Sequence, residues 1–87
     1  MKSMLVDERP DPIAVAAALS CRTRYEMLRA VTETARTVGE LAALLGIRQA
    51  TASTHVSKLL HARLVEVTPD GNKHLVRALV TSVQFVL

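Results

Sequence analysis

The sequence predicts a mainly α-helical domain closed by a small β-hairpin. Three observations predict it. A Thr37-x-x-Glu40 box opens a helix that Gly46 ends; an amphipathic stretch, Gln49 to Ala62, begins only three residues later; and an alternating run turns at Pro69-Asp70-Gly71-Asn72 and returns. Two helices joined this tightly, with glycine in the joint, form a helix-turn-helix, and the hairpin behind them makes it a winged helix.

Taken in order, residues 1–10 read as an N-terminal arm ending at Pro10. Asp11 caps a first helix with Pro12 at its first position, and Ile13 to Leu19 continue it. That helix is apolar on every side, so it belongs in a core or against a second subunit. Ser20 is placed to cap a second helix, Cys21 to Thr32, whose apolar positions Tyr25, Met27, Leu28 and Val31 keep the three-four spacing. Arg36-Thr37 interrupts. The Thr37–Glu40 capping box then starts the third helix, Val38 to Leu45, and Gly46 supplies its left-handed end.

The fourth helix carries the informative pattern. Ala52, Val56, Leu59 and Leu60 form one stripe; Thr51, Thr54, Ser57, Lys58 and His61 form the opposite one. The outer stripe holds one full charge and several hydroxyls, unlike a solvated face rich in Glu and Lys. Leu64 to Thr68 alternate as a strand, residues 68–74 form the wing tip, and Lys73 to Leu79 return. The domain is thus 11–80, followed by an apolar segment, 81–87. Thr81-x-x-Gln84 favours a short helix there, whereas alternating Val83, Phe85 and Leu87 also suit a strand.

Composition narrows the function. Eighty-seven residues make one small domain, 49% hydrophobic. Tyr25 and Phe85 are the only aromatics, which excludes single-strand binders that stack bases and aromatic-lined ligand pockets. The net charge is +3. Six basic residues (Lys2, Arg9, Arg22, Arg24, Arg29, Arg36) and six acidic ones (Asp7, Glu8, Asp11, Glu26, Glu33, Glu40) cancel before residue 48. Arg48, Lys58, Arg63, Lys73 and Arg77 against Glu66 and Asp70 account for the whole excess, and all three His lie there too. No glycine-rich phosphate loop or Ser/His/Asp set is present, so no enzyme is expected. With one Cys, no secretion signal and no transmembrane run, the cytoplasm is the expected compartment.

A helix with this outer face suits the major groove of double-stranded DNA. Arg48, Gln49, Ala50, Thr51, Ser53, Thr54 and His55 are the candidate groove residues, with Lys58 on a phosphate. Gln49 has the donor–acceptor pair that adenine matches, and Arg48 suits guanine or phosphate. At the wing, Asn72 and Lys73 suit flanking backbone or minor groove, and Asp70 opposes phosphate. Cys21, near a helix N-terminus beside Arg22 and Arg24, is a candidate redox thiol; the competing reading is a small packed residue replacing a cap. His55 and His61 lie about 240° apart on the helix and cannot share an ion.

From Leu19 to about Leu79 the chain resembles the ArsR-type winged-helix repressors of bacteria and archaea. The resemblance rests on Ala18 to Arg24, Thr37 to Gly46, Ile47 to His55, and Leu59 to Val65. Three departures stand out: Cys21-Arg22 where the family has Asp-Pro, Arg48-Gln49-Ala50 where it has Ser-Gln-Ser, and Arg63 where it has Gly. The resemblance implies a homodimeric repressor on an inverted-repeat operator. Family metal sites use Cys pairs in the third helix or His, Asp and Glu on a long C-terminal helix. Residues 38–45 contain no Cys and residues 78–87 contain no ligand at all, so no metal and no cofactor is expected. The dimer contact is expected from Ile13, Val15, Ala16 and Leu19 together with Val83, Phe85, Val86 and Leu87. A winged helix that docks on protein rather than DNA is the alternative.

Overall fold

The computed structural model describes residues 11–79. The elements run α1 (Pro12–Leu19), α2 (Arg22–Glu33), β1 (Arg36–Thr37), α3 (Val38–Leu45), α4 (Gln49–His61), β2 (Val65–Asp70) and β3 (Lys73–Ala78). The arm, Val80 and the segment 81–87 lie outside the described residues, and with them the expected dimer residues Val83, Phe85, Val86 and Leu87.

Local chemistry sets most boundaries. The Asp11 carboxylate accepts from the Ile13 N–H at 3.1 Å, and Pro12 takes the first helical position, where its missing N–H costs nothing. At α3 both halves of the capping box form: Thr37 Oγ1 accepts from the Glu40 N–H, and Glu40 Oε1 accepts from the Thr37 N–H at 2.8 Å.

The two helices flanking the joint end alike. The Ile47 N–H donates to the Ala42 carbonyl and the Gly46 N–H to that of Ala43, with Gly46 at φ +67°. At the end of α4 the Leu64 N–H donates to the Leu59 carbonyl and the Arg63 N–H to that of Leu60. Both are Schellman closures, but the left-handed position of the second is held by Arg63, at φ +63°.

Three expectations at the first two helices are corrected. Ser20 does not cap α2: its hydroxyl donates back to the Ala17 carbonyl at 2.8 Å and closes α1. Cys21 is the N-cap instead, and α2 runs from Arg22 to Glu33. Val15, expected at a dimer contact, is buried in the chain's own core with Ala18, and Leu19 packs against that core. Ile13 and Ala16 are exposed, Ile13 by 79%.

Arg36-Thr37 is more than an interruption. It forms a third strand, with Arg36 opposite Val76 and Thr37 opposite Leu75, in an antiparallel sheet ordered β1-β3-β2. In the hairpin Val67 faces Val76 and Asp70 faces Lys73. The strand therefore extends through Pro69 and Asp70, which were expected in the turn, and leaves Gly71 and Asn72 as the tip. β2 is an edge strand, so the N–H that Pro69 lacks is not needed by a neighbour. Gly71, first of the two tip residues, carries the positive φ of +65°.

Met27, Leu28, Leu41, Leu59, Leu64, Val65 and Val76 are fully enclosed, so every helix after α1 and both long strands, or the joint between them, contribute to one core. From α4 that core takes Ala52, Val56 and Leu59. Leu60, expected on the same stripe, is 42% exposed: it lies at the border of the stripe and faces a cleft against the wing.

Candidate nucleic-acid interface

Burying Ala52, Val56 and Leu59 turns the opposite side of α4 outward. Arg48, Gln49, Ala50, Thr51, Ser53, Thr54, Ser57, Lys58 and His61 are all exposed, and no carboxylate occurs between Arg48 and Arg63. The N-terminus of this helix is open. Arg48 occupies the N-cap in extended conformation without a side-chain cap bond, and no acidic residue stands in the first turn. The backbone N–H groups there stand at the positive end of the helix dipole, the kind of terminus that favours an anion.

The wing reaches the same place. Asn72, Lys73 and His74 share a cleft of about 330 Å³ with Gln49 and the first turn of α3. Gln49 leans over that turn, its Oε1 3.6 Å from the point where a Cβ on Gly39 would stand. A second cleft of about 240 Å³ runs between α4 and the wing, lined by Ser53, Ser57, Leu60, Val67 and His74 among others. His74 of β3 thus borders both.

Two candidate residues are less free than expected. The Thr54 hydroxyl donates to the Ala50 carbonyl at 3.2 Å, so its outward role is to accept. His55 is half-buried, and its Nδ1 lies 3.3 Å from Arg24 Nη1. Arginine has no acceptor, so Nδ1 accepts and the ring proton belongs on Nε2. Burial first, then the charges of Arg24 and Lys58, push the His55 pKa below its ordinary value and favour the neutral ring. Arg24 is itself anchored, its Nε donating to the Ala18 carbonyl at 2.7 Å and Nη2 lying 3.5 Å from the Ala17 carbonyl. One guanidinium therefore joins α1, α2 and α4, a role with no local signal in the sequence.

Cys21 is half-buried at the start of α2. It makes no cap bond of full hydrogen-bond geometry, yet the Arg24 backbone N–H in particular holds its pKa below the ordinary thiol value. Burial opposes this; the Thr23 N–H and the Arg24 charge assist. Among the described residues, no three His, Cys, Asp or Glu side chains converge, and no helix is long and apolar enough to cross a membrane.

The comparisons with known proteins agree with this geometry. Residues 19–68 match the helix-turn-helix domain family. Among solved structures, an ArsR-like transcriptional regulator from Rhodococcus sp. RHA1 is 29% identical with a TM-score of 0.75, over 84% of this chain and 69% of that one. The homodimeric winged helix-turn-helix DNA-binding domain of Mb0332 from Mycobacterium bovis, a possible ArsR-family regulator, is 25% identical with a TM-score of 0.80, over 97% and 76%. The transcriptional repressor BigR from Xylella fastidiosa is 25% identical with a TM-score of 0.74, over 85% and 76%. No curated protein matches in sequence. The chain belongs to the helix-turn-helix domain family, and within it is a DNA-binding transcriptional regulator of the ArsR winged-helix type and not an enzyme.

Proposed function

We propose that the chain is a cytoplasmic homodimeric repressor that reads an inverted-repeat operator in double-stranded DNA. α4 enters the major groove and the tip of the wing lies on the flanking backbone or minor groove. The observation that carries this reading is the outer face of α4. It is free of carboxylates, uncapped at its N-terminus and set beside Asn72 and Lys73 of the wing. Gln49 and Ser53 supply base-edge donors and acceptors, Thr51 and Thr54 supply hydroxyls, and the Ala50 methyl suits a thymine methyl. Arg48 and Lys58 supply charge to phosphates. His55 presents Nε2–H, so it addresses an acceptor.

Ile13 and Ala16 are exposed apolar residues of α1 and give the dimer its contact within the described residues. Being a homodimer is a property of the Mb0332 domain, and being a repressor one of BigR; both support the same assignment here. Selection of bound duplexes from a random pool tests the reading. The expected product is an inverted repeat with half-sites about one helical turn, roughly 34 Å, apart. A pool that stays random after selection overturns sequence-specific recognition.

A further inference from the structure

Three basic side chains converge away from the wing. Arg24 of α2 and Lys58 and His61 of α4 line a cleft of about 400 Å³ whose remaining wall is built of small residues, chiefly Ala14, Ala17 and Ala18 of α1. Among the described residues, no carboxylate lines it. Among the described residues the ion pairs are Arg22–Glu26, Arg36–Glu33 and Arg77–Glu66, so Arg24 and Lys58 have no acidic partner.

The cleft is also partly organised in advance. Arg24 is held at Ala18, Ala17 and His55, which uses Nε–H and one N–H on each terminal nitrogen. One N–H on each terminal nitrogen is left over, and a guanidinium can offer two such donors to two oxygens of one anion. Holding the guanidinium in place removes much of the side-chain entropy that an arginine loses on binding. Lys58 adds a mobile charge and His61 an imidazole N–H. The alanine side chains of the wall bring no counter-charge, and the Ala17 and Ala18 carbonyls are already engaged by Arg24.

We propose that this cleft is a binding site for a phosphate-class oxyanion, gripped by Arg24 and closed over by Lys58 and His61. The oxyanion is either a phosphate of the DNA backbone, as the DNA-binding reading supplies, or the phosphoryl group of a free small molecule.

The test uses the full chain and inorganic phosphate, followed by NMR of the arginine Nε–H and histidine ring signals at constant ionic strength and pH, with chloride as the reference. Phosphate is expected to shift the Arg24, His55 and His61 signals saturably. Lys58→Ala, at an exposed position, weakens binding roughly tenfold, as loss of a charge-assisted hydrogen bond does. Arg29→Ala removes the same charge outside this cleft and leaves binding unchanged. Linear shifts equal to those in chloride, or equal weakening by both variants, overturn the site.

A second arm adds duplex to the phosphate-loaded protein. Expulsion of phosphate with movement of the same signals identifies the DNA backbone as the occupant. Phosphate retained on the DNA-bound protein identifies a free phosphoryl ligand; both results uphold the site. If no duplex binds, the DNA-binding reading fails while the phosphate arm still decides this one.

Discussion

Arg24 Nη1 lies 3.3 Å from His55 Nδ1, joining the second helix to the exposed face of the fourth across 31 positions of chain. The same guanidinium holds the end of α1 through the Ala18 carbonyl. The pair thus fixes both where the groove-facing helix sits and which nitrogen of its histidine carries the proton. Arg24→Lys keeps the charge but loses the fork. It is expected to lower stability by about 1–2 kcal/mol, as loss of a charge-assisted bond to a partly buried group does. A double-mutant cycle with His55→Ala in denaturant unfolding checks this; additive losses would show that the two residues do not interact.

The same pair predicts a pH dependence. The folded-state pKa of His55 is depressed below 6.5, so the unfolded chain takes up the proton first. Its contribution to stability is complete above that value and is lost as pH falls from about 6.5 through the depressed folded value. Unfolding midpoints at pH 7.5 and 5.5 should differ more for the parent chain than for His55→Gln. An unchanged difference in the variant rules His55 out as the source.

The matched helix ends predict an asymmetry. Open space surrounds Gly46, so Gly46→Ala meets only the left-handed backbone and should cost about 1 kcal/mol. Arg63 already occupies such a position. Arg63→Asn should therefore be tolerated better than Arg63→Val by about 1 kcal/mol, because Asn tolerates positive φ and a β-branched residue does not. Equilibrium unfolding of the three variants measures it, and equal stability of the Asn and Val variants would remove the argument.

Much of this was legible in the sequence because it is local. The Thr37–Glu40 box, the Gly46 end and the Asp11-Pro12 start each act within a few residues, and α3 begins and ends where those signals place it. What was missed depends on tertiary neighbours. Arg36-Thr37 is too short to show alternation and becomes a strand only because β3 offers an edge. α1 is apolar all round, so its sequence has no stripe to show that Val15 faces inward while Ile13 and Ala16 face out. The surface stripe of α4 was visible; that Arg24, 31 residues earlier, partners the candidate residue His55 was not.

Base-reading and backbone-reading residues should separate in binding assays. Gln49→Ala or Ser53→Ala is expected to relax preference at particular operator positions, by about 1–3 kcal/mol for a bidentate contact. Lys58→Ala is expected to weaken all duplexes alike. Affinities over a panel of single-base operator variants measure both. A Lys58 effect confined to one sequence would contradict its assignment to phosphate.

The central claim is that the carboxylate-free face of α4 and the adjoining wing engage duplex phosphates as well as bases. Affinity for a random duplex, measured against salt concentration, tests it most directly. The account predicts measurable binding at low salt and a log–log slope of about −0.9 for every phosphate neutralised. No binding to random duplex at low salt, or an affinity indifferent to salt, would contradict it.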